Sequence, residues 1–150
     1  MGDRTWVCIT VALKDEATLL EVMRFKPEEK EHLNPEERDG LLTVTFDEIN
    51  WGGYDELRQL AKRKISFMAH NGSGSSYGEG LSVGYRGKLV EVECLEAEPA
   101  CIIGPNLKPN AVALKNIKRY YSLVKKVEAE FERVKQKSDK QKEADEQATI

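Results

Sequence analysis

Cysteine and histidine are scarce in this chain of 150 residues. The three cysteines stand at positions 8, 94 and 101, and their separations match no zinc-binding motif. The two histidines, at positions 32 and 70, are also far apart in the sequence. We therefore expect no metal site and no bound cofactor. Unpaired cysteines are typical of a reducing compartment, so the cytoplasm is the expected location.

The chain also lacks a long apolar run. No stretch approaches the roughly 18 residues that a membrane-spanning helix requires, so we expect no membrane association. Apolar residues make up 40% of the chain and charged residues 33%, a composition that is typical of globular proteins in water. A length of 150 residues fits one domain with its own core.

The common catalytic and phosphate-binding motifs are absent as well. The serines between positions 73 and 76 lack the glycine pattern of a nucleophile elbow. The glycines between positions 72 and 78 are not spaced as in a dinucleotide-binding loop, and a predicted strand follows them where that loop requires a helix. We therefore expect a protein that is not an enzyme.

Charges of both signs are present, but they are unevenly distributed. Residues 1–107 hold 19 acidic and 12 basic side chains, whereas residues 108–142 hold 4 acidic and 11 basic ones. The basic segment is either the solvated face of a helix or a contact surface for a polyanion. No aromatic residue interleaves with Lys135–Lys142. Stacking on single-stranded nucleic acid has no support there, and we expect no direct binding to nucleic acid.

Two kinds of periodicity predict an α+β fold. Thr5–Leu13 is rich in β-branched and aromatic residues, and Leu41–Ile49 alternates apolar with polar side chains. Both patterns predict strands. A helical segment follows each of them, and three further strands are predicted between residues 65 and 95. We expect a mostly antiparallel sheet of about five strands, with two shorter helices and a long C-terminal helix packed on one face.

Residues 110–137 predict a long amphipathic helix. Asn110 is a suitable N-cap, and apolar side chains recur at spacings of three and four as far as Val134. Because this stripe is shorter than a two-stranded coiled coil requires, we expect the helix to dock on the sheet. A homodimer through this helix is the alternative to a monomer. Residues 1–137 then form a single domain, and residues 138–150 form a polar helical overhang or a disordered tail.

A glycine-rich stretch, "ISFMAHNGSGSSYGEGLSV" (Ile65–Val83), holds four of the eleven glycines. Such a loop either connects two strands or lets the backbone approach a ligand. A second patch, rich in aromatic residues, follows the preceding strand. If the two strands are adjacent and parallel, both patches meet at one end of the sheet. The candidate binding residues are Asn50, Trp51, Tyr54, His70, Asn71, Ser73, Ser75 and Tyr77.

The segment "WGGYDELRQLAKRKISFMAHNGSGSSYGEG" (Trp51–Gly80) contains a Gly-Gly turn, a short helix, a strand and a glycine loop, in that order. It resembles a stretch found in small uncharacterised accessory proteins of bacteriophages and other mobile elements. The resemblance covers about residues 50–80 and assigns no catalytic or ligand residues. It implies an accessory protein that binds and blocks a host protein, such as an immune nuclease complex. An acidic body suits such a target because it can compete for a basic nucleic-acid channel.

Three functions remain open from the sequence. The first is a non-enzymatic protein that binds a host defence or nucleic-acid-processing protein. The second is a small-molecule or nucleotide binder that uses the glycine-rich loop at residues 71–80. The third is an enzyme in which His70 acts as a general base.

Overall fold

A computed structural model describes residues 3–149. The strands in this part of the chain are β1 (Arg4–Ala12), β2 (Glu36–Arg38), β3 (Leu41–Asn50), β4 (Phe67–Asn71), β5 (Gly80–Tyr85), β6 (Lys88–Leu95) and β7 (Glu98–Pro99). The helices are α1 (Glu16–Val22), α2 (Tyr54–Lys62) and α3 (Ala111–Ala148), and short 3₁₀ turns lie at Leu13–Asp15, Pro27–Leu33 and Trp51–Gly53.

The strands form one antiparallel sheet in the order β2-β3-β1-β4-β5-β6-β7. The predicted α+β class is confirmed, but the described residues form seven strands where about five were expected. The two additional strands, β2 and β7, have three and two residues and lie at the two edges of the sheet. Strands this short carry no periodic pattern, which is why the sequence does not reveal them.

The positions of β3 and β4 decide where the candidate residues meet. Both strands pair antiparallel with β1, which lies between them. They therefore run in the same direction and finish at the same end of the sheet, although they are not neighbours. Asn50 ends β3 opposite Arg4, and Asn71 ends β4 opposite Val7.

The helices α1 and α2 cover one face of the sheet. Phe46 and Phe67 are fully buried there, with apolar side chains of β1, α1 and α2 around them. Leu57 and Leu60 bury the inward face of α2. Apolar burial on this scale is the main stabilising term of such a core.

The long helix α3 packs on the opposite face, so the expectation that all helices share one face is wrong. Met68 and Val83, which are partners in the β4–β5 ladder, lie in the core that faces α3. Side chains alternate along a strand, so apolar residues at consecutive positions point to both faces. In β5, Leu81–Gly84 is buried at every position, which is typical of a strand covered on both sides.

The docking of α3 is deepest in its middle. Its buried residues are Tyr120, Leu123, Val124, Val127 and Phe131. The side chain of Asn110 caps the helix, because its Oδ1 accepts a hydrogen bond from the amide of Ala113 at 3.0 Å. The helix continues to Ala148, well beyond the docked part. Within residues 3–149, no helix is long and apolar enough to cross a membrane.

Candidate functional site

A cleft opens on the α2 face, at the end of the sheet where β3 and β4 finish. Its volume is about 500 Å³, and its walls come from α2, the turn before α2, the glycine-rich loop and strands β4 to β6. Gly80 and Ser82 of β5 line it. A side chain at Gly80 would press on Asn71, whose Oδ1 would lie 2.8 Å from the added Cβ. Small residues on β5 therefore keep the cleft open.

Aromatic side chains line the cleft where it meets solvent. Trp51 is 54% exposed and Tyr54 is 46% exposed, and the ring centroids of Trp51 and Tyr77 are 6.1 Å apart. Trp51 has a left-handed backbone, with φ at 53°, a conformation that costs roughly 1–3 kcal/mol outside glycine. Exposed tryptophan and tyrosine side chains often dominate binding energy, so this strained position points to a binding role.

Two acidic side chains of β6, Glu91 and Glu93, also line the cleft. Burial raises the pKa of Glu91, and the positive charge of Arg58 opposes that rise. Among residues 3–149, no donor forms a hydrogen bond to Oε1 of Glu91, although that atom is buried. A buried polar atom without a partner costs free energy, so a ligand that donates a hydrogen bond to this oxygen would recover that cost.

The glycine-rich loop is closed by the protein's own N-terminal segment. The amides of Ser75 and Ser76 donate hydrogen bonds to the two carboxylate oxygens of Asp3 at 3.0 and 2.7 Å. The Tyr77 hydroxyl donates to the carbonyl oxygen of Asp3 at 3.1 Å. The hydrogen bonds from Ser75 and Ser76 hold the pKa of Asp3 below its usual value. Much of the loop's hydrogen-bonding capacity is therefore used within the chain.

The structure divides the eight candidate residues into two groups of four. The residues that line the cleft are Trp51, Tyr54, Asn71 and Tyr77. The residues that do not are Asn50, His70, Ser73 and Ser75. Asn50 accepts a hydrogen bond from Nε of Arg4 at 3.2 Å, and both serines are exposed on the loop. His70 lies on the other face of the sheet from its neighbour Asn71 because side chains alternate along β4.

His70 belongs to a polar cluster on the α3 face. Its Nε2 is hydrogen-bonded to Oε1 of Glu79, and its ring packs edge-on against Trp6 with centroids 4.9 Å apart. The hydrogen bond from His70 holds the pKa of Glu79 below its usual value. Burial, reinforced by the Glu79 carboxylate, raises the pKa of the Cys94 thiol to about 11.

Sequence reasoning missed the acidic side of the cleft and the polar cluster. The signal for both is the alternation of valine and cysteine with glutamate in β6, which places Glu91 and Glu93 on one face and Cys94 on the other. The register completes the pattern, because Ser82 pairs with Glu91 and Gly80 pairs with Glu93. That register depends on strand order, which the sequence alone does not give.

The basic residues of α3 lie away from the cleft. Lys126 lies over the ring of Tyr85, with Nζ 5.9 Å from the centroid, and Lys142 forms an ion pair with Asp39 at 3.6 Å. Most of the remaining basic side chains of this helix are exposed. A polyanion contact on this helix stays a prediction.

No family model, curated protein or solved structure matches this chain. The resemblance to accessory proteins of mobile elements therefore stays a prediction. The functional proposal rests on the geometry and charge of the cleft.

Proposed function

We propose that this protein is a non-enzymatic binding protein whose cleft takes up arginine or lysine side chains of a protein partner. The observation that carries the proposal is the buried, unpartnered Oε1 of Glu91 in a cleft bordered by the exposed Trp51. A guanidinium or ammonium group donates several hydrogen bonds and carries the opposite charge. Aromatic rings add cation–π attraction at the same place.

A cation of this kind already lies at the edge of the cleft. The guanidinium carbon of Arg58 lies 5.2 Å from the centroid of the Tyr54 ring, and Arg58 Nη1 donates to the Tyr54 hydroxyl at 3.2 Å. This internal contact supports the view that the aromatic side chains there hold guanidinium groups well. Phosphate-bearing ligands fit poorly because Glu91 and Glu93 would repel them, which argues against the nucleotide-binding alternative.

The partner class follows from the charge of the whole body. Residues 1–107 carry 19 acidic and 12 basic side chains, and an acidic surface attracts a basic one over long range. A basic nucleic-acid channel is such a surface. Blocking a host defence protein or another nucleic-acid-processing protein is therefore the form of the proposal that we favour.

Tryptophan fluorescence tests the cleft directly. The chain has two tryptophans, so Trp6→Phe leaves Trp51 as the only one while keeping an aromatic ring against His70. This variant is titrated with three capped pentapeptides of glycine that carry a central arginine, citrulline or glutamate. We expect saturable quenching with the arginine peptide and little response to the other two, because only arginine combines the charge with the donor groups.

The cleft variants Glu91→Gln and Tyr54→Ala are compared in this background with Glu98→Gln, an exposed glutamate on β7 outside the cleft. Glu91→Gln should lower the affinity for the arginine peptide by about tenfold or more. This is the scale of a hydrogen bond to a charged group, which contributes roughly 1.5–3 kcal/mol. Equal affinity for arginine and citrulline, or no loss in Glu91→Gln, would contradict the proposal.

A small organic cation is the second candidate occupant. The cleft volume of about 500 Å³ lies within the range of small-molecule sites, roughly 300–1,000 Å³. Agmatine has the same guanidinium group as arginine without a peptide backbone. If agmatine binds more tightly than the arginine peptide, the small-molecule function is favoured over the protein partner.

A further inference from the structure

Three metal-ligating side chains from neighbouring strands meet on the α3 face. His70 lies on β4, Glu79 directly precedes β5, and Cys94 lies on β6. In the ladder, Leu81 pairs with His70 on one side and with Val92 on the other. Because side chains alternate along each strand, this register puts the three side chains on the same face.

The three groups are close enough to share one ion. One ligating atom from each side chain lies within 4.8 Å of the other two. The side chains of His70 and Glu79 are 29% and 26% exposed, whereas Cys94 is buried. The cluster is thus shielded by protein yet accessible from solvent, and a metal site needs such an entry path.

Neighbouring groups hold the cluster in place. Glu79 Oε1 is hydrogen-bonded to His70 Nε2 and accepts a hydrogen bond from the amide of Ala97 at 3.2 Å. The amide of Cys94 donates to the carbonyl oxygen of Glu79 at 3.0 Å. The Trp6 ring packs against the His70 ring at nearly a right angle. Contacts of this kind orient ligands before an ion arrives.

We propose that His70, Glu79 and Cys94 form a binding site for a divalent transition-metal ion, with Zn²⁺ as the ion that fits best. Imidazole, carboxylate and thiolate are the three ligand types that zinc takes in proteins. The thiolate and imidazole disfavour Ca²⁺ and Mg²⁺, which prefer oxygen ligands. Three protein ligands leave a fourth tetrahedral position for water or for a group of a bound partner.

Binding requires a small rearrangement and the loss of a proton. Zinc bonds of roughly 2.0–2.3 Å place tetrahedral ligand atoms about 3.3–3.8 Å apart. Ligand atoms that are now up to 4.8 Å apart must approach by as much as about 1.5 Å, whereas His70 Nε2 and Glu79 Oε1 must move apart and give up their hydrogen bond. The S–H bond of Cys94 breaks as the sulfur–zinc bond forms, and the proton passes to water. The nitrogen Nε2 of His70 must carry no proton when it binds the ion.

Cobalt titration tests the ligand set through its colour. Co²⁺ takes the place of Zn²⁺ in tetrahedral sites, and a thiolate ligand gives an intense near-ultraviolet charge-transfer band. Wild-type protein, prepared with a reducing agent and freed of metal with a chelator, should develop this band and saturate at one equivalent of Co²⁺. Added Zn²⁺ should remove the band at one equivalent. A wild-type protein that shows no such band overturns the proposal without any variant.

Substitutions assign the ligands. Cys94→Ser should abolish the band, and His70→Gln should weaken Zn²⁺ binding by more than about 100-fold, since loss of an outer partner alone costs about 10–100-fold. The matched controls Cys101→Ser and His32→Gln should behave as wild type. Circular dichroism and the metal-free melting temperature show whether each variant is folded.

Two results from the cysteine variants, to which Cys8→Ser is added, would overturn the site. If Cys8→Ser removes the band while Cys94→Ser keeps it, the thiolate ligand belongs to the strand opposite His70. If all cysteine variants bind Zn²⁺ as wild type does, the three side chains form a hydrogen-bonded structural cluster without metal. Glu79 also lines the arginine-binding cleft, but both results are read from cysteine variants and metal binding, so this inference stands or fails separately from the proposed function.

Discussion

Glu91 shows at the scale of a single residue how stability and binding oppose each other. Burial raises its pKa, so the native state favours the protonated form more than the unfolded state does. A raised pKa contributes stability that is complete below the unfolded pKa and is lost as the pH rises through the folded one. At neutral pH the ionised Glu91 therefore destabilises the fold, and a position with this cost is typical of a binding site.

We predict that Glu91→Gln raises the melting temperature at pH 7 by at most about 2–4 °C, the shift that roughly 1 kcal/mol produces in a domain of this size. The gain should vanish near pH 4, where the wild-type carboxyl is protonated. Calorimetry across this pH range measures both values. The exposed control Glu98→Gln should show no such pH dependence. If Glu91→Gln instead lowers the melting temperature at pH 7, the Glu91 carboxylate has a hydrogen-bond donor within the protein and is not free for a ligand.

Asp3 stabilises the glycine-rich loop in a pH-dependent way. Its carboxylate accepts hydrogen bonds from the amides of Ser75 and Ser76. These hydrogen bonds lower the pKa of Asp3. This contribution to stability is present above the unfolded pKa and lost as the pH falls through the folded one. Asp3→Ala should therefore speed hydrogen exchange at the Ser75 and Ser76 amides, measured by NMR at neutral pH. Ser73→Ala leaves the contacts of Asp3 in place, and unchanged exchange of both amides in that variant is the control.

The helix α3 shows at the element scale what a sequence pattern can and cannot predict. Its apolar stripe correctly predicts a docked side, on which Tyr120, Val124, Val127 and Phe131 are buried. The stripe does not say which face of the sheet it covers, because strands buried on both sides are apolar on both sides. Likewise, the alternation in β3 predicts its buried side. Both features are local in sequence.

Because α3 docks on the sheet of its own chain, a charge placed in its buried stripe should unfold the protein. Val127 is fully buried, and an unpaired charge buried there costs several kcal/mol, comparable with the whole stability of a domain, about 5–15 kcal/mol. Val127→Asp should therefore unfold the protein, as circular dichroism would show. If the wild type is a dimer and Val127→Asp is a folded monomer, the result would instead support a homodimer through α3.

Truncation after Lys137 should be tolerated. It removes the packing of Ser138 near Gly40 and the exposed ion pair of Lys142 with Asp39. An exposed pair contributes about 0–1 kcal/mol, so the melting temperature should fall by no more than about 4 °C. Calorimetry of the truncated chain measures this change. A larger fall would mean that residues 138–150 stabilise the fold.

At the scale of the whole molecule, the site depends on strand order. The residues after β3 and β4 meet at one end because β1 lies between the two strands and is antiparallel to both. The sequence contains Trp51, Tyr54, Asn71 and Tyr77, but only the register adds Glu91 from β6. Side-chain alternation likewise separates His70 from Asn71. The sequence therefore predicts four residues of the cleft, whereas their arrangement in space depends on the order and register of the strands.

The whole acidic body should act as a stoichiometric inhibitor. Titrated against a purified nuclease that it inhibits, the protein should reach full inhibition at a fixed molar ratio. The apparent affinity should weaken with added salt, because charges are screened over about 10 Å at 0.1 M. Since His70 lies outside the cleft, His70→Ala should change that affinity by at most about tenfold, whereas Trp51→Ala should weaken it more. If one copy instead disables many nuclease molecules and His70→Ala abolishes the effect, the chain is an enzyme built around His70.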